Sequence, residues 1–128
     1  MRLTRPAIMK QCERVRAFLR EQEDLGTQST IWRAAVNVCR SSNICLNFEQ
    51  CEGLLADVQL FYDDINNHWA ETDGYAIFLN MVKEYDEETL YMTLLHEALH
   101  GLVLRDFRYE LSEEVEHRMM RLIDPSLI

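Results

Sequence analysis

The pentad His96-Glu97-Ala98-Leu99-His100 carries the most definite chemistry in this sequence. On an α-helix, side chains four residues apart share a face, so both imidazoles can reach one metal ion. Neutral imidazole is a common ligand of Zn²⁺, and a catalytic zinc keeps one coordination position for water. Glu97 directly follows the first histidine, where its carboxylate can take a proton from that water. The pattern predicts a catalytic zinc site with His96 and His100 as ligands and Glu97 as the general base.

The residues around the pentad predict that it lies on a helix. Asp86 suits the N-cap of this helix, Glu87 and Glu88 suit the positive end of its dipole, and we expect it to reach about Leu104. Histidine and glutamate on so buried a helix are costly unless they are paired or bind metal, which favours a metal site over a chance match. The buried stripe follows from apolar residues with helical spacing at 90, 94, 95, 98, 99, 102 and 103.

A catalytic zinc needs a third protein ligand, and the sequence leaves its identity open. Asp106 has the spacing of the third ligand in H-E-x-x-H-x-x-G-x-x-H zincins, but Val103 replaces the glycine that lets the chain turn there. Further downstream, Ser112 suits the N-cap of a last helix that reaches about Ile123. The remaining candidates lie on or just before this helix: Glu110, Glu113, Glu114, Glu116 and His117.

Glu116 is the favoured third ligand because of its position on the last helix. Glu113 and Glu114 are explained as first-turn acids that stabilise the helix dipole. On a helical wheel Glu116 borders the apolar side, whereas Glu113 and His117 point away from it. We predict Glu116 as the ligand, with Glu113, Asp106 and His117 as alternatives. The apolar side consists of Leu111, Val115, Met119, Leu122 and Ile123.

Charge and composition narrow the classes of function. The chain has a net charge of −9, but six basic residues against one glutamate give residues 1–20 a charge of +5, which leaves −14 for the rest. An acidic body of this kind excludes an extensive nucleic-acid surface. The basic first helix is either a solvated face or a contact for an acidic partner. No stretch is apolar enough for a membrane span or a secretory signal, so we expect no membrane partner and a cytoplasmic location.

The chain length and the local patterns predict one domain over residues 1–128, with a helical part at 1–67 and a catalytic core at 68–125. Four cysteines at 12, 39, 45 and 51 lack a zinc-finger spacing, and we expect reduced thiols, with a disulfide or a second metal site as alternatives. The other predicted elements are helices at Pro6–Asp24, Thr30–Val38 and Glu49–Ile65, a short edge strand at His68–Glu71, and a strand at Tyr75–Leu79.

Residues 68–125 resemble the core of small zincin metallopeptidases. The likeness rests on the strand sequence 76–80, which ends in Asn80, on Thr93-Leu94-Leu95 before the pentad, and on the glutamates of 112–116. The Thr-Leu-Leu-His-Glu run is similar to SprT-like proteases, and the order of elements is similar to minigluzincins and ImmA/IrrE-type proteins. This resemblance implies an α+β, helix-rich fold with a small sheet or hairpin on the motif helix. It also implies that a glutamate within 113–116 is the third ligand.

The predicted function is a zinc-dependent metallopeptidase that acts on a peptide or protein substrate. The edge strand would align an extended peptide, and Tyr109 and His117 are candidates for stabilising the oxyanion. One alternative is a zinc-dependent hydrolase or modifying enzyme for a small molecule or one specific peptide. The other is a non-catalytic binding module stabilised by zinc, although such a module has no need of Glu97.

Overall fold

Helices dominate the fold, and three short strands lie between the third and fourth of them. The computed structural model describes residues 3–102 and 111–127. Short 3₁₀ turns follow the first helix at Gly26–Gln28 and the last helix at Pro125–Leu127. In chain order the elements are α1 (Arg5–Leu25), α2 (Thr30–Cys39), α3 (Phe48–Leu55), β1 (Val58–Phe61), β2 (Ala70–Thr72), β3 (Ile77–Asn80), α4 (Glu87–Leu99) and α5 (Glu113–Ile123).

The first two helices follow their local sequence signals, and both predictions are confirmed. The Thr4 side chain accepts a hydrogen bond from the Ala7 backbone N–H at 3.3 Å and so caps α1. At the other end Gly26 adopts φ +55, a left-handed backbone angle that glycine reaches without strain. Ser29 caps α2 in the same way as Thr4 caps α1, by accepting from the Trp32 N–H at 2.9 Å.

The predicted third helix over Glu49–Ile65 is wrong in its second half. Helix α3 ends at Leu55, and the chain continues as strand β1 at Val58–Phe61. Asn47 caps α3 by accepting from the Gln50 N–H at 3.0 Å, so its start follows a local signal. The end of α3 does not follow a local signal, because β1 forms by pairing in parallel with β3, which lies 19 residues further along the chain.

The three strands form one sheet in the order β1-β3-β2, with β2 at an edge. Strand β2 pairs antiparallel with β3 in the register Ala70↔Leu79 and Thr72↔Ile77. The predicted edge strand and central strand are confirmed in kind, each shifted one or two residues towards the C-terminus. Asn80, fully buried, donates to the backbone oxygens of Asp63 and His68, and thereby joins the two loops beside the sheet.

Helix α4 carries the pentad and lies at the centre of the fold. As predicted, Asp86 caps it by accepting from the Thr89 N–H at 2.7 Å. The sheet contacts α4 through β2 and β3, and α1 packs along another side of it. The predicted α+β fold with a small sheet on the motif helix is therefore confirmed. The apolar side chains of α4 that are buried here are Leu90, Leu94, Leu95, Ala98 and Leu99.

The basic first helix finds acidic partners within this chain. Lys10 Nζ lies 3.2 Å from Glu87 Oε1, and Arg14 Nη2 lies 3.1 Å from Glu88 Oε1. These ion pairs are largely exposed, so each contributes at most about 1 kcal/mol to stability. They nevertheless compensate the acidic first turn of α4 and orient α1 across it.

Helix α5 begins at its predicted cap, where the Ser112 hydroxyl accepts from the Val115 N–H at 3.3 Å. It packs chiefly against α2. Met120, which the apolar wheel omitted, is completely buried, whereas Leu122 is 48% exposed. The buried side of α5 is therefore rotated from the predicted one, and the side that bears residues 113, 116, 117 and 120 turns towards the interior and the cleft.

Two further features bear on the sequence predictions. The cysteines all lie within the described residues and are free thiols; Cys12 and Cys51 are buried, and Cys45 is exposed. Among the described helices, none combines the length and apolar character needed to cross a bilayer.

Candidate metal centre

Three histidines from two helices converge at the surface of α4. His96 lies in the last turn of α4, His100 is the C-cap residue of the same helix, and His117 comes from α5; one possible ligand atom of each lies within 4.8 Å of the others. The Nε2 atoms of His96 and His100 are 3.2 Å apart. His117 places its ring centroid 5.0 Å from that of His96 and 5.1 Å from that of His100. A group of this size is typical of residues that share one metal ion.

The two α4 histidines are held by hydrogen bonds at their other ring nitrogen. His96 Nδ1 lies 3.0 Å from the backbone oxygen of Leu127, and His100 Nδ1 lies 3.4 Å from Glu116 Oε2. A carbonyl or carboxylate oxygen only accepts, so each Nδ1–H is the donor and each Nε2 keeps its lone pair. This tautomer is the one in which Nε2 binds metal, and such partners orient metal ligands in general.

His117 supplies an observation in favour of a bound cation. Its Nε2 atom is buried and has no hydrogen-bond partner within the described residues. The nearest acid is Glu113, whose Oε1 lies 3.8 Å away, beyond hydrogen-bond distance. Buried nitrogen atoms in folded proteins almost always have a partner, so this one calls for an explanation. A metal ion shared with His96 and His100 supplies it, and three histidines plus water is one of the ligand sets of catalytic zinc.

The predicted metal ligands stand as follows. His96 and His100 lie together, as expected from their spacing. Glu116 lies beside them but contacts His100 Nδ1, and it is His117 that completes the group of three. Glu116 as third ligand therefore stays a prediction, and the geometry favours His117. The helical wheel placed His117 away from the apolar side of α5, yet His117 lies in the same cleft as His96 and His100, because the buried side of α5 is turned towards Met120. The alternative Asp106 and the oxyanion candidate Tyr109 lie outside the described residues.

Glu97 lies in the same cleft and is only 7% exposed. Its carboxylate forms no hydrogen bond within the described residues, and its Oε1 lies 4.0 Å from His96 Nε2. Burial raises the pKa of this carboxyl to about 7; the His100 charge opposes the rise, and Glu113 and Glu71 add to it. A carboxylate whose pKa is near neutrality can both accept and release a proton.

The histidines differ in their affinity for protons. Burial, with a smaller contribution from the charge of His100, lowers the pKa of His96 to about 4. Burial and the same His100 charge also lower the pKa of His117. Burial alone would lower the pKa of His100, but the Glu116 hydrogen bond and the surrounding carboxylates together raise it. His96 and His117 are consequently neutral at physiological pH, the form that binds metal.

The group lies in an open cleft of about 1250 Å³. Strand β2 and residues 67–69 form one wall, the exposed side of α4 forms the floor, and α5 with the 3₁₀ turn at Pro125–Leu127 forms the other wall. Trp69 borders the cleft and packs edge-on against Tyr85 with ring centroids 5.2 Å apart. Within the described residues, the histidine group is therefore accessible along a groove rather than enclosed.

Sequence reasoning missed one part of this centre, the Leu127 carbonyl, because no residue type predicts the role of a backbone group. It ranked His117 only as an alternative ligand, although the composition held a signal: the chain has four histidines, and three of them meet here. Comparisons with known proteins add no further guide, because no family model, no curated protein and no solved structure matches this chain.

Proposed function

We propose that this protein is a zinc-dependent hydrolase that cleaves peptide bonds in an extended substrate. The observation that carries the proposal is the meeting of three histidines with the buried carboxylate of Glu97 on the floor of one open cleft. Histidines alone would serve a structural metal equally well. The buried carboxylate of Glu97 accepts no hydrogen bond within the described residues and lies 4.0 Å from His96 Nε2, so a catalytic role beside the metal best accounts for a carboxylate at this position.

In the proposed centre His96, His100 and His117 hold the zinc. When bound, zinc polarises the scissile carbonyl and makes a water molecule acidic enough to act as a nucleophile near neutral pH. The Leu127 carbonyl and Glu116 keep the first two imidazoles in the required tautomer and orientation. Glu116 also balances part of the metal charge through its contact with His100.

Glu97 acts as the general base and then as a general acid. It accepts the proton of the attacking water and delivers it to the nitrogen of the departing amine, since its pKa of about 7 permits both transfers. Its position between His96 and His100 in the pentad keeps it next to the ligands. Burial holds the carboxylate in place and strengthens its interaction with developing charge.

Strand β2 provides a way of binding an extended peptide. It lies at the edge of the sheet, so one row of its backbone N–H and C=O groups has no strand partner among the described residues. Residues 70–72 of this strand also border the cleft, next to the histidines. A peptide that pairs with this edge would run along the cleft with its backbone held by hydrogen bonds, independent of its side chains.

The dimensions of the cleft favour a peptide over a small molecule. Pockets for small ligands enclose about 300–1,000 Å³ and cover most of the ligand. The cleft here measures about 1250 Å³ and is open along its length. A linear substrate that extends beyond the metal on both sides fits this shape better.

The test is a digest of a diverse peptide mixture by the full chain, stripped of metal and then reloaded with zinc. We expect cleavage only in the presence of zinc, with products identified by mass spectrometry. Glu97→Gln should lower kcat by about 10²–10⁴-fold, the usual contribution of a general base, while zinc remains bound. Glu23→Gln on the exposed surface of α1 is the matched control and should cleave normally. A zinc-loaded protein that cleaves no peptide, or full turnover by Glu97→Gln, would refute the proposal.

A further inference from the structure

The charged residues that line the cleft, histidines aside, are all acidic among the described residues, with no lysine or arginine. Bound zinc would compensate two of the negative charges, and Arg14 compensates a third through its ion pair with Glu88. The described part of the cleft would therefore keep a negative charge when metal is bound. Its acidic residues are Glu71, Glu88, Glu97, Glu113, Glu116 and Asp124.

Most of these acids have a role that the structure explains. Glu97 and Glu116 belong to the metal centre, as described above. Asp124 accepts hydrogen bonds from the Ser126 hydroxyl at 2.7 Å and the Ser126 backbone N–H at 3.0 Å. Glu113 lies in the first turn of α5, where a negative charge stabilises the helix, and 3.8 Å from His117. Only Glu71 is left without a structural role.

The Glu71 side chain is exposed, and its carboxylate forms no hydrogen bond or ion pair with other described residues. Glu71 lies in the middle of β2, the edge strand whose residues 70–72 line the cleft. Glu71 and Glu97 line the same cleft. A substrate paired with β2 would thus pass beside the Glu71 carboxylate close to the scissile bond.

The described cations near the cleft lie at its margins. Lys83 hydrogen bonds to Asn67 and stands 5.4 Å from the centre of the Trp69 ring. Arg121 on α5 acts on His117, whose pKa its charge helps to lower. Neither residue lines the cleft, and neither forms an ion pair with Glu71. The negative potential beside β2 is thus left for a substrate to neutralise.

We propose that the substrate is a peptide with a lysine or arginine side chain near the scissile bond, and that Glu71 is a residue that determines this specificity. The inference rests on the proposed function and adds the charge of the substrate to it. Binding of the peptide backbone to β2 sets the position, and the ion pair with Glu71 selects the side chain. Because Glu71 is not a metal ligand, its effect falls on substrate binding rather than on zinc.

The test compares peptides that are identical except for lysine, glutamine or glutamate at each position around a cleaved bond. For the zinc-loaded wild type we expect the lysine peptide to have the highest kcat/KM at one of these positions. In Glu71→Gln the preference for lysine over glutamine should fall about threefold to fivefold, mostly through KM, which corresponds to one exposed ion pair. Glu71→Lys should reverse it in favour of glutamate. Glu23→Gln, the same change on α1, should keep the wild-type preference.

A second measurement separates this inference from the proposed function. Fluorescence anisotropy of the same labelled peptides with zinc-loaded Glu97→Gln reports binding without turnover. Tighter binding of the lysine peptide, weakened by Glu71→Gln, supports the charge preference even if no peptide is cleaved. Equal affinities for the three peptides, or a preference that Glu71→Gln leaves intact, would overturn it while leaving a peptidase of other specificity possible.

Discussion

Zinc affinity in three variants of α5 distinguishes the roles of His117 and Glu116. Structural zinc sites with four ligands bind with about 10–16 kcal/mol, so loss of one ligand costs about 3 kcal/mol. His117→Ala should therefore weaken zinc binding about hundredfold or more. Glu116→Gln keeps an oxygen that can accept the hydrogen bond from His100 Nδ1, now 3.4 Å away, and loses only the charge. Changing the hydrogen-bond partner of a metal ligand usually lowers metal affinity 10–100-fold, and we expect Glu116→Gln to weaken zinc binding about tenfold.

The assay is competition for zinc with a chromophoric chelator at pH 7.4, with circular dichroism to confirm that each variant is folded. Glu113→Gln is the matched control on the same helix, since its carboxylate lies 3.8 Å from His117 without a hydrogen bond. We expect the order of loss to be His117→Ala, then Glu116→Gln, then Glu113→Gln. If Glu116→Gln lost more affinity than His117→Ala, Glu116 would be the third ligand, as the sequence predicts, and our reasoning from the geometry would fail.

The remaining predictions concern the packing around the centre and the thiols. A Cβ on Gly101 would lie 2.9 Å from Leu54 Cδ1, so Gly101→Ala should lower the free energy of unfolding by about 1–3 kcal/mol. In α3, a Cβ on Gly53 meets nothing within 4 Å, so Gly53→Ala should instead raise the free energy of unfolding by about 0.5–1 kcal/mol. Equal effects of the two substitutions in urea unfolding would contradict the close contact between Gly101 and Leu54. At pH 8 a thiol reagent should modify exposed Cys45 first, and buried Cys51 only on unfolding. Burial raises the Cys51 pKa from 9.0 to about 12. Between pH 9 and pH 12 this thiol is ionised in the unfolded chain but not in the folded one, so the free energy of unfolding should fall by about 1.4 kcal/mol per pH unit in that range and be unaffected below it. Cys51→Ala should remove this slope.

Local signals in the sequence predicted the helix starts well. Asp86 and Ser112 are caps because a short polar side chain can accept from an N–H three residues later, a relation contained within four residues. The pentad is local in the same sense, since two histidines four apart share a face of any helix. These features could be predicted because they do not depend on contacts between distant parts of the chain.

Features that depend on distant contacts could not be read in this way. The apolar residues at 54, 55, 58 and 61 have the spacing of one helix face. Residues 58–61 nevertheless form a strand, because they pair with Ile77–Asn80. The orientation of α5 likewise depends on its packing against α2, more than 70 residues earlier in the chain. That rotation brings His117 to the other two histidines, so the third corner of the centre depends on a contact that no local pattern contains.

The hydrogen bond from His96 to the Leu127 carbonyl has a practical consequence for anyone who handles this protein. A ring that is needed at the centre is steadied by backbone 31 residues away, in a short turn after α5. A substitution that displaces this turn would loosen the imidazole although it lies far from the pentad in sequence. Variants of residues 125–127 should therefore be checked for zinc content before any loss of activity is assigned to the pentad itself.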